Sequence, residues 1–311
     1  MVRGEKLERV CVKEMDEILG IEFSVLDKGF IRVIDYMGND ESIVQAARTS
    51  YGKGTKTKMD DKELIRYLLR HDHTTPFEMA ELKLHVKVPM DAWRQWIRHR
   101  TANVNEYSTR YSIAIEDKQE TNPDKWRLQA KRNKQGSEGF LDTENGIIMS
   151  RQERELHEHA NVVYNQRLEL GIAREQARKD LPLATYTEAY WKMDCHNLLR
   201  FLYLRMDKNA QLEIRSYANI MGNEIMPRWL PITWEAFNDY KINAVNLSAL
   251  EQKILNNIAK GETSDACNTA IKLGFISYSG EGLKRSLECR EFEDKLNKIG
   301  ISIPWLEEQH E

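Results

Sequence analysis

The chain has 311 residues, 41% hydrophobic and 31% charged, and its 46 Lys and Arg against 49 Asp and Glu leave a formal charge of −3. That length and balance supply a real core without disulfides or a structural metal, and exclude the disordered and fibrous classes. No apolar run approaches the ~18 residues of a membrane span, and near-neutral charge argues against a dedicated nucleic-acid binder unless positive charge is concentrated locally.

The opening MVRGEKLERVCVKEMDE is charged throughout and has no apolar h-region, which argues against secretion. Cys11, Cys195, Cys267 and Cys289 lie far apart with no CxxC and no metal-ligand spacing, so a reducing, cytoplasmic setting is expected. Residues 1–20 read as an amphipathic extension ending at Gly20. FSVLDKGFIRVIDYMG predicts two short strands turning at Lys28-Gly29. Asp40 is expected to cap a helix from Ser42 to Arg48 that buries Ile43, Val44 and Ala47, and SYGKGTKTK reads as a loop. Asp60 with Glu63 resembles a capping box for a helix carrying Leu64, Ile65, Leu68 and Leu69. His71 to Pro76 is a turn, because proline disfavours helix at the residue before it.

Glu81 to Val88 is the clearest strand. Leu82, Leu84, Val86 and Val88 alternate with Glu81, Lys83, His85 and Lys87, so one face is core and the other is solvent or an interface. Pro89 ends it and suits position N1 of a helix whose buried stripe is Trp93, Trp96 and Ile97 and which runs into Arg98-His99-Arg100. Residues 115–146 form a long polar connector, a lid, a subunit contact or a mobile segment. Ser150 with Glu153 predicts a capped helix ending at Gly171. A strand from Ala184 to Met193 leads to Asp194, the expected cap of a helix carrying Leu198, Leu199, Phe201, Leu202 and Leu204. A further helix from Asn209 is expected to end before Pro227, and Leu250, Ile254 and Ile258 give residues 240–311 a helical character.

Positive charge is concentrated in RQWIRHRTANVNEYSTR, residues 94–110, which sets four arginines against one glutamate. Guanidinium forks pair bidentately with phosphate, and the interleaved amides and hydroxyls suit a base or a sugar. The plain alternative is a solvated helix end with surface ion pairs. Arg98-His99-Arg100, then seven residues, then Ser108, with Asn105-Glu106 between and Arg110 after, resembles the signature of flavin-dependent thymidylate synthases. LDKGFIRVIDYMGND, HDHTTPFE, LKLHVKVP, WRQWIRHR, ARKDLPLATYTEAYW and LLRFLYLRMDKNAQLEIRSYA follow in that family's order across residues 21–235. Asn103 stands where many members have Ser, and Asn209 where many have a flavin-contacting His.

The expected fold is α/β of the α+β type, a central, mostly antiparallel sheet flanked by helices. The expected organisation is an extension over 1–20, a family core over 21–235 and a helical C-terminal extension over 236–311. The resemblance implies dTMP synthesis from dUMP, with carbon from 5,10-methylenetetrahydrofolate, hydride from reduced FAD recharged by NADPH, and no cysteine nucleophile. It assigns FAD to Ser50, His73, Thr75, Glu78, Arg98, His99, Arg100, Asn105, Glu106, Asp194, His196 and Arg200. It assigns dUMP to Gln95, Arg98, Glu106, Tyr107, Ser108, Thr109, Arg110, Arg178 and Arg205, with Arg205 placed at the uracil edge as the catalytic group. It further implies a homotetramer with shared sites, and neither nucleic acid nor a membrane as partner.

Rival chemistries have sequence features of their own. His71, His73 and His99 could be offered as a metal set, but two guanidiniums flanking His99 repel a dication. Cys195-His196 at a helix start suggests a nucleophile, set against a small buried residue beside Leu198 and Leu199. A non-enzymatic alternative is a module for nucleotides or single-stranded nucleic acid, with Arg98, Arg100 and Arg110 interleaved with stacking by Trp96, Tyr107 and Tyr111.

Overall fold

Alternating apolar residues build the sheet that carries the site. In the computed structural model, which describes residues 8–49, 60–130, 136–280 and 282–307, β1 (Phe23–Val25), β2 (Gly29–Met37), β3 (Glu81–Pro89), β4 (Asn103–Glu106) and β7 (Tyr186–Asp194) form one sheet. Its order is β1-β2-β3-β7-β4, and every neighbouring pair is antiparallel. Val33, Leu84 and Trp191 face one another across three strands and are all buried. The same register puts Arg32, His85, Tyr190 and Asn105 in a row on the other face.

Helices cover the apolar face. A short α1 (Lys13–Asp16) precedes the sheet, and α2 (Asp40–Thr49) and α3 (Asp61–Arg70) follow β2. Next, α4 (Met90–Trp96) leaves β3 directly, with Pro89 at its N-cap rather than at N1. The hairpin β5 (Arg127–Gln129) and β6 (Ser137–Phe140) precedes the long α5 (Thr143–Glu169) and a single turn, α6 (Arg174–Ala177). After β7 come α7 (Cys195–Arg205), α8 (Leu212–Ile220), α9 (Met226–Trp229) and α10 (Pro231–Phe237). Trp96 is fully buried, with its ring 5.4 Å from Trp191, 5.2 Å from Phe201 and 5.6 Å from Tyr217.

The chain separates into two compact units, one ending at Ile242 and one beginning at Asn243. The second unit contains α11 (Ala249–Ala259), α12 (Thr263–Lys272), the hairpin β8 (Ile276–Ser279) and β9 (Gly282–Arg285), α13 (Leu287–Lys298) and α14 (Pro304–Glu307). It has its own core, including Ile254, Phe275, Phe292 and Trp305.

Several local expectations change. Asp40 lies inside α2, and Asn39 caps that helix by accepting from the Ser42 amide at 3.0 Å. The Asp40 carboxylate is buried and accepts from the Ile232 and Thr233 amides and the Thr233 hydroxyl, so it caps α10 instead. Asp60 stands at the N-cap of α3 without a side-chain cap bond. The turn after His73 tightens into a 3₁₀ helix, Thr75–Met79. His85, on the polar side of the alternation, is buried between Arg32 and Glu188. Ile97 is exposed just past the end of α4.

The polar connector carries β5 and β6, and α5 starts within it because Asp142 caps the helix by accepting from the Asn145 amide at 2.9 Å. Ser150 and Glu153 therefore cap nothing. Ser150 is buried, donates to the Thr121 carbonyl and accepts from the Trp126 indole, while Glu153 accepts from the Thr121 amide and hydroxyl. Pro227 does not end the helical run either. A π-helical turn, Met221–Ile225, re-registers the chain, and Pro227 falls in the first turn of α9, where a missing N–H costs least.

Candidate active site

Arg205, the last residue of α7, donates through Nε to His99 Nε2 at 3.0 Å. A ring nitrogen that accepts carries no proton, so the His99 hydrogen is on Nδ1. Burial first, then the nearby Arg205 and Arg200 guanidiniums, hold the His99 pKa down at about 4. The imidazole is thus neutral at ordinary pH, and it rests edge-on against Phe201 at 4.8 Å. With Nε engaged, the two terminal nitrogens of Arg205 have no partner among the described residues and remain for a ligand.

Arg205 and Gln95 line a cavity of about 830 Å³ together with Arg127, Asn209, Gln211 and Arg215. Arg127 comes from β5 and is held by Glu213, itself buried, at 2.8 Å. A second cavity, of about 200 Å³, brings together His73, His196 and Arg200 with Phe77, Leu69, Leu199 and Tyr203. Asp194, two residues before His196, caps α7 by accepting from the Asn197 amide at 2.9 Å. Thr75 and Glu78 occupy the 3₁₀ turn beside Phe77.

A third group forms on the turn after β4. Arg178 donates to the Thr109 hydroxyl, and Arg110 pairs with Glu175 at 3.1 Å. Arg174 donates to the Tyr111 carbonyl, and the Ser108 carbonyl accepts from the Tyr111 and Ser112 amides. Tyr164 of α5 supports this turn, its hydroxyl accepting from the Ala114 amide at 2.9 Å. Ser108, Thr109, Arg110 and Arg178 are thereby collected, but they lie outside the lining of either cavity. Asn105 and Glu106 are exposed on the edge strand β4, where Glu106 accepts from the Thr187 hydroxyl at 2.9 Å. The Tyr107 hydroxyl donates to the Ile113 carbonyl. Arg98 and Arg100 are exposed on the turn between α4 and β4, and Ser50 lies outside the described residues.

Among the described residues the rival sites do not assemble. Cys195 is fully buried, and burial pushes its thiol well above the ordinary range, which removes the thiolate a nucleophile needs. Trp96 is sealed beneath the site and cannot stack on a base. His71 and His73 flank the Tyr67 ring, whereas His99 faces Arg205. Residues that sequence reasoning passed over are Arg127, Asp91 and Gln211. Arg127 lies in the polar connector, which reads as a lid, a subunit contact or a mobile segment, although its position beside Trp126 in a charged stretch is a usable signal.

Comparison with known proteins bears on this arrangement. The family described as "Thymidylate synthase complementing protein" matches residues 32–232. The flavin-dependent thymidylate synthase of Wolbachia pipientis is 52% identical over 264 residues, 83% of this chain and 91% of that protein. That of Thermus thermophilus is 48% identical over 264 residues, 85% of this chain and 94% of that protein. Among solved structures, the UMP/dUMP methylase PolB from Streptomyces cacaoi, bound with 5-Br dUMP, aligns with a TM-score of 0.62 at 28% identity, over 70% of this chain and 98% of that one. With the arginine, histidine and serine of its signature set around one edge strand, and with such relatives along most of its length, the chain belongs to the flavin-dependent thymidylate synthase family.

Proposed function

We propose that the chain converts dUMP to dTMP, using the Arg205 cavity for the pyrimidine and the Arg110–Arg178 turn for the phosphate. The observation that carries this reading is Arg205 held by a neutral His99, which aims a guanidinium into a cavity of nucleotide size without adding a second charge. A guanidinium cannot act as a base at ordinary pH, but it stabilises negative charge gathering on the pyrimidine. The exposed Arg110–Glu175 pair is worth little by itself, so a phosphate can displace Glu175 and draw Arg110 and Arg178 into charge-assisted bonds.

The smaller cavity suits a flavin. Phe77, Leu69 and Leu199 supply apolar walls, and His73, His196 and Arg200 supply donors for a polar edge. At about 200 Å³ it takes one ring system, which leaves Arg98, His99, Arg100, Asn105 and Glu106 for the remainder of FAD. When bound, reduced FAD supplies the hydride and NADPH recharges it, while 5,10-methylenetetrahydrofolate supplies the carbon. The phosphate turn and the Arg205 cavity are separate within one chain, which supports sites completed between subunits of a homotetramer. A cytoplasmic setting agrees with this chemistry.

Titration with dUMP tests the assignment. Arg110→Ala and Arg178→Ala each remove a contact of about 1.5–3 kcal/mol, weakening dUMP roughly ten- to a hundredfold while FAD stays bound. Arg205→Ala is expected to slow dTMP formation about a hundredfold or more. Unchanged dUMP titration in both phosphate variants would remove the phosphate site from this turn. Dihydrofolate as the stoichiometric product would refute the flavin chemistry.

A further inference from the structure

A line of side chains runs from the base of α4 into the Arg205 cavity. Asp91 and Gln95 are four residues apart on α4 and so share one face of it. Gln211, at the N-cap of α8, reaches between them. Asp91 Oδ1 accepts from the Ala92 amide at 2.7 Å, and Asp91 Oδ2 accepts from Gln211 Nε2 at 2.8 Å. Gln211 Oε1 in turn accepts from Gln95 Nε2.

This line has a fixed direction. A carboxylate offers only acceptors, so Gln211 must turn its amino group toward Asp91 and its oxygen toward Gln95. Gln95 must then turn its amino group toward Gln211, which takes one of its two N–H donors. Its Oε1 remains, with no other partner among the described residues, in a side chain that lines the same cavity as Arg205. The cavity therefore presents an acceptor from Gln95 and donors from Arg205. Without Asp91 either amide could turn over, and the pattern would lose its sense.

We propose that Asp91, acting through Gln211, is a positioning residue that fixes Gln95 as an acceptor and so makes the cavity select uracil over cytosine. Uracil presents an N3–H donor between two carbonyl acceptors, which complements Gln95 Oε1 beside the Arg205 guanidinium. Cytosine presents a bare N3 and an amino group, so it sets a lone pair against Gln95 Oε1 and a donor against Arg205. Unpaired buried polar groups of this kind are what allow a site to reject a near-isostere strongly. The inference rests on the reading that this cavity takes the base of dUMP.

The test is calorimetric titration of the flavin-loaded protein with dUMP and with dCMP, in the wild type, Asp91→Asn, Gln211→Leu and Gln95→Leu. Asparagine at position 91 can offer Gln211 either an amino group or an oxygen, so the line can reverse. The expected result is a fall of at least tenfold in the dUMP to dCMP affinity ratio in Asp91→Asn, with dCMP binding improved. Gln211→Leu breaks the line at its middle and should lower the ratio as well, and it serves if Asp91→Asn does not fold. A loss of general packing would weaken both nucleotides equally, and that outcome overturns the proposal. So does a wild-type ratio in Asp91→Asn and Gln211→Leu while Gln95→Leu loses it, or a wild-type ratio in Gln95→Leu itself. Failure of the wild-type protein to bind dUMP at all would instead refute the parent reading of the cavity.

Discussion

His99 keeps a proton off Nε2 because burial and two guanidiniums oppose a third positive charge there. The consequence for stability has a definite sign. The unfolded chain binds a proton at His99 near the ordinary value of 6.5, and the folded chain only near about 4, so between those values the unfolded state holds more protons. Stability from this group is full above about pH 6.5 and falls as pH drops through the folded value. Urea melts at pH 7 and pH 4.5 should show a larger loss for the wild type than for His99→Gln, which has no proton to gain. Equal losses would mean that His99 is not held neutral. The Arg-His-Arg run and its spacing to Ser108 were legible in the sequence, because their meaning is local. Asp91 was not legible, since its partner Gln211 lies 120 positions away and neither residue type signals the other.

Elements were legible where a period or a cap acts on its own segment. The alternation in β3 and the Asp194 cap of α7 are of that kind, and both stand where their residues implied. The failures came where a capping residue serves another segment. Asp40 has the sequence position of a cap for α2, yet its carboxylate receives two amides and a hydroxyl from α10. Burial pushes its pKa up, a cost that those three donors oppose. Asp40→Ala leaves these donors buried and should lower unfolding free energy by about 2 kcal/mol or more, read as a reduced urea midpoint at unchanged slope. Asp40→Asn, which keeps one acceptor, should lose less. A loss confined to a few tenths of a kcal/mol would show that α10 does not depend on this cap. Ser150 and Glu153 teach the same lesson: a capping-box spacing within α5 holds Thr121 and Trp126 of the connector, a pairing no local pattern encodes.

At the scale of the molecule, the two units have separate cores. Ile254, Cys267, Phe275, Phe292 and Trp305 cluster in one, and the sheet and its helices in the other. Each core is closed by its own residues, so a chain ended after Ile242 should keep the fold of the first unit. Its near-ultraviolet circular dichroism should match that of the same unit in the full chain, with one cooperative melt. A broad, non-cooperative melt would show that the first unit needs the second.

The tryptophans beneath the site also give the protein a particular optical behaviour. The indole N–H groups of Trp93, Trp96 and Trp191 are buried with no hydrogen-bond partner among the described residues, in walls of aromatic and aliphatic carbon. An excited indole that cannot bond or relax against water emits toward the blue. Phe201 touches both Trp96 and His99, so a change in the packing behind Arg205 also changes the surroundings of one of these indoles.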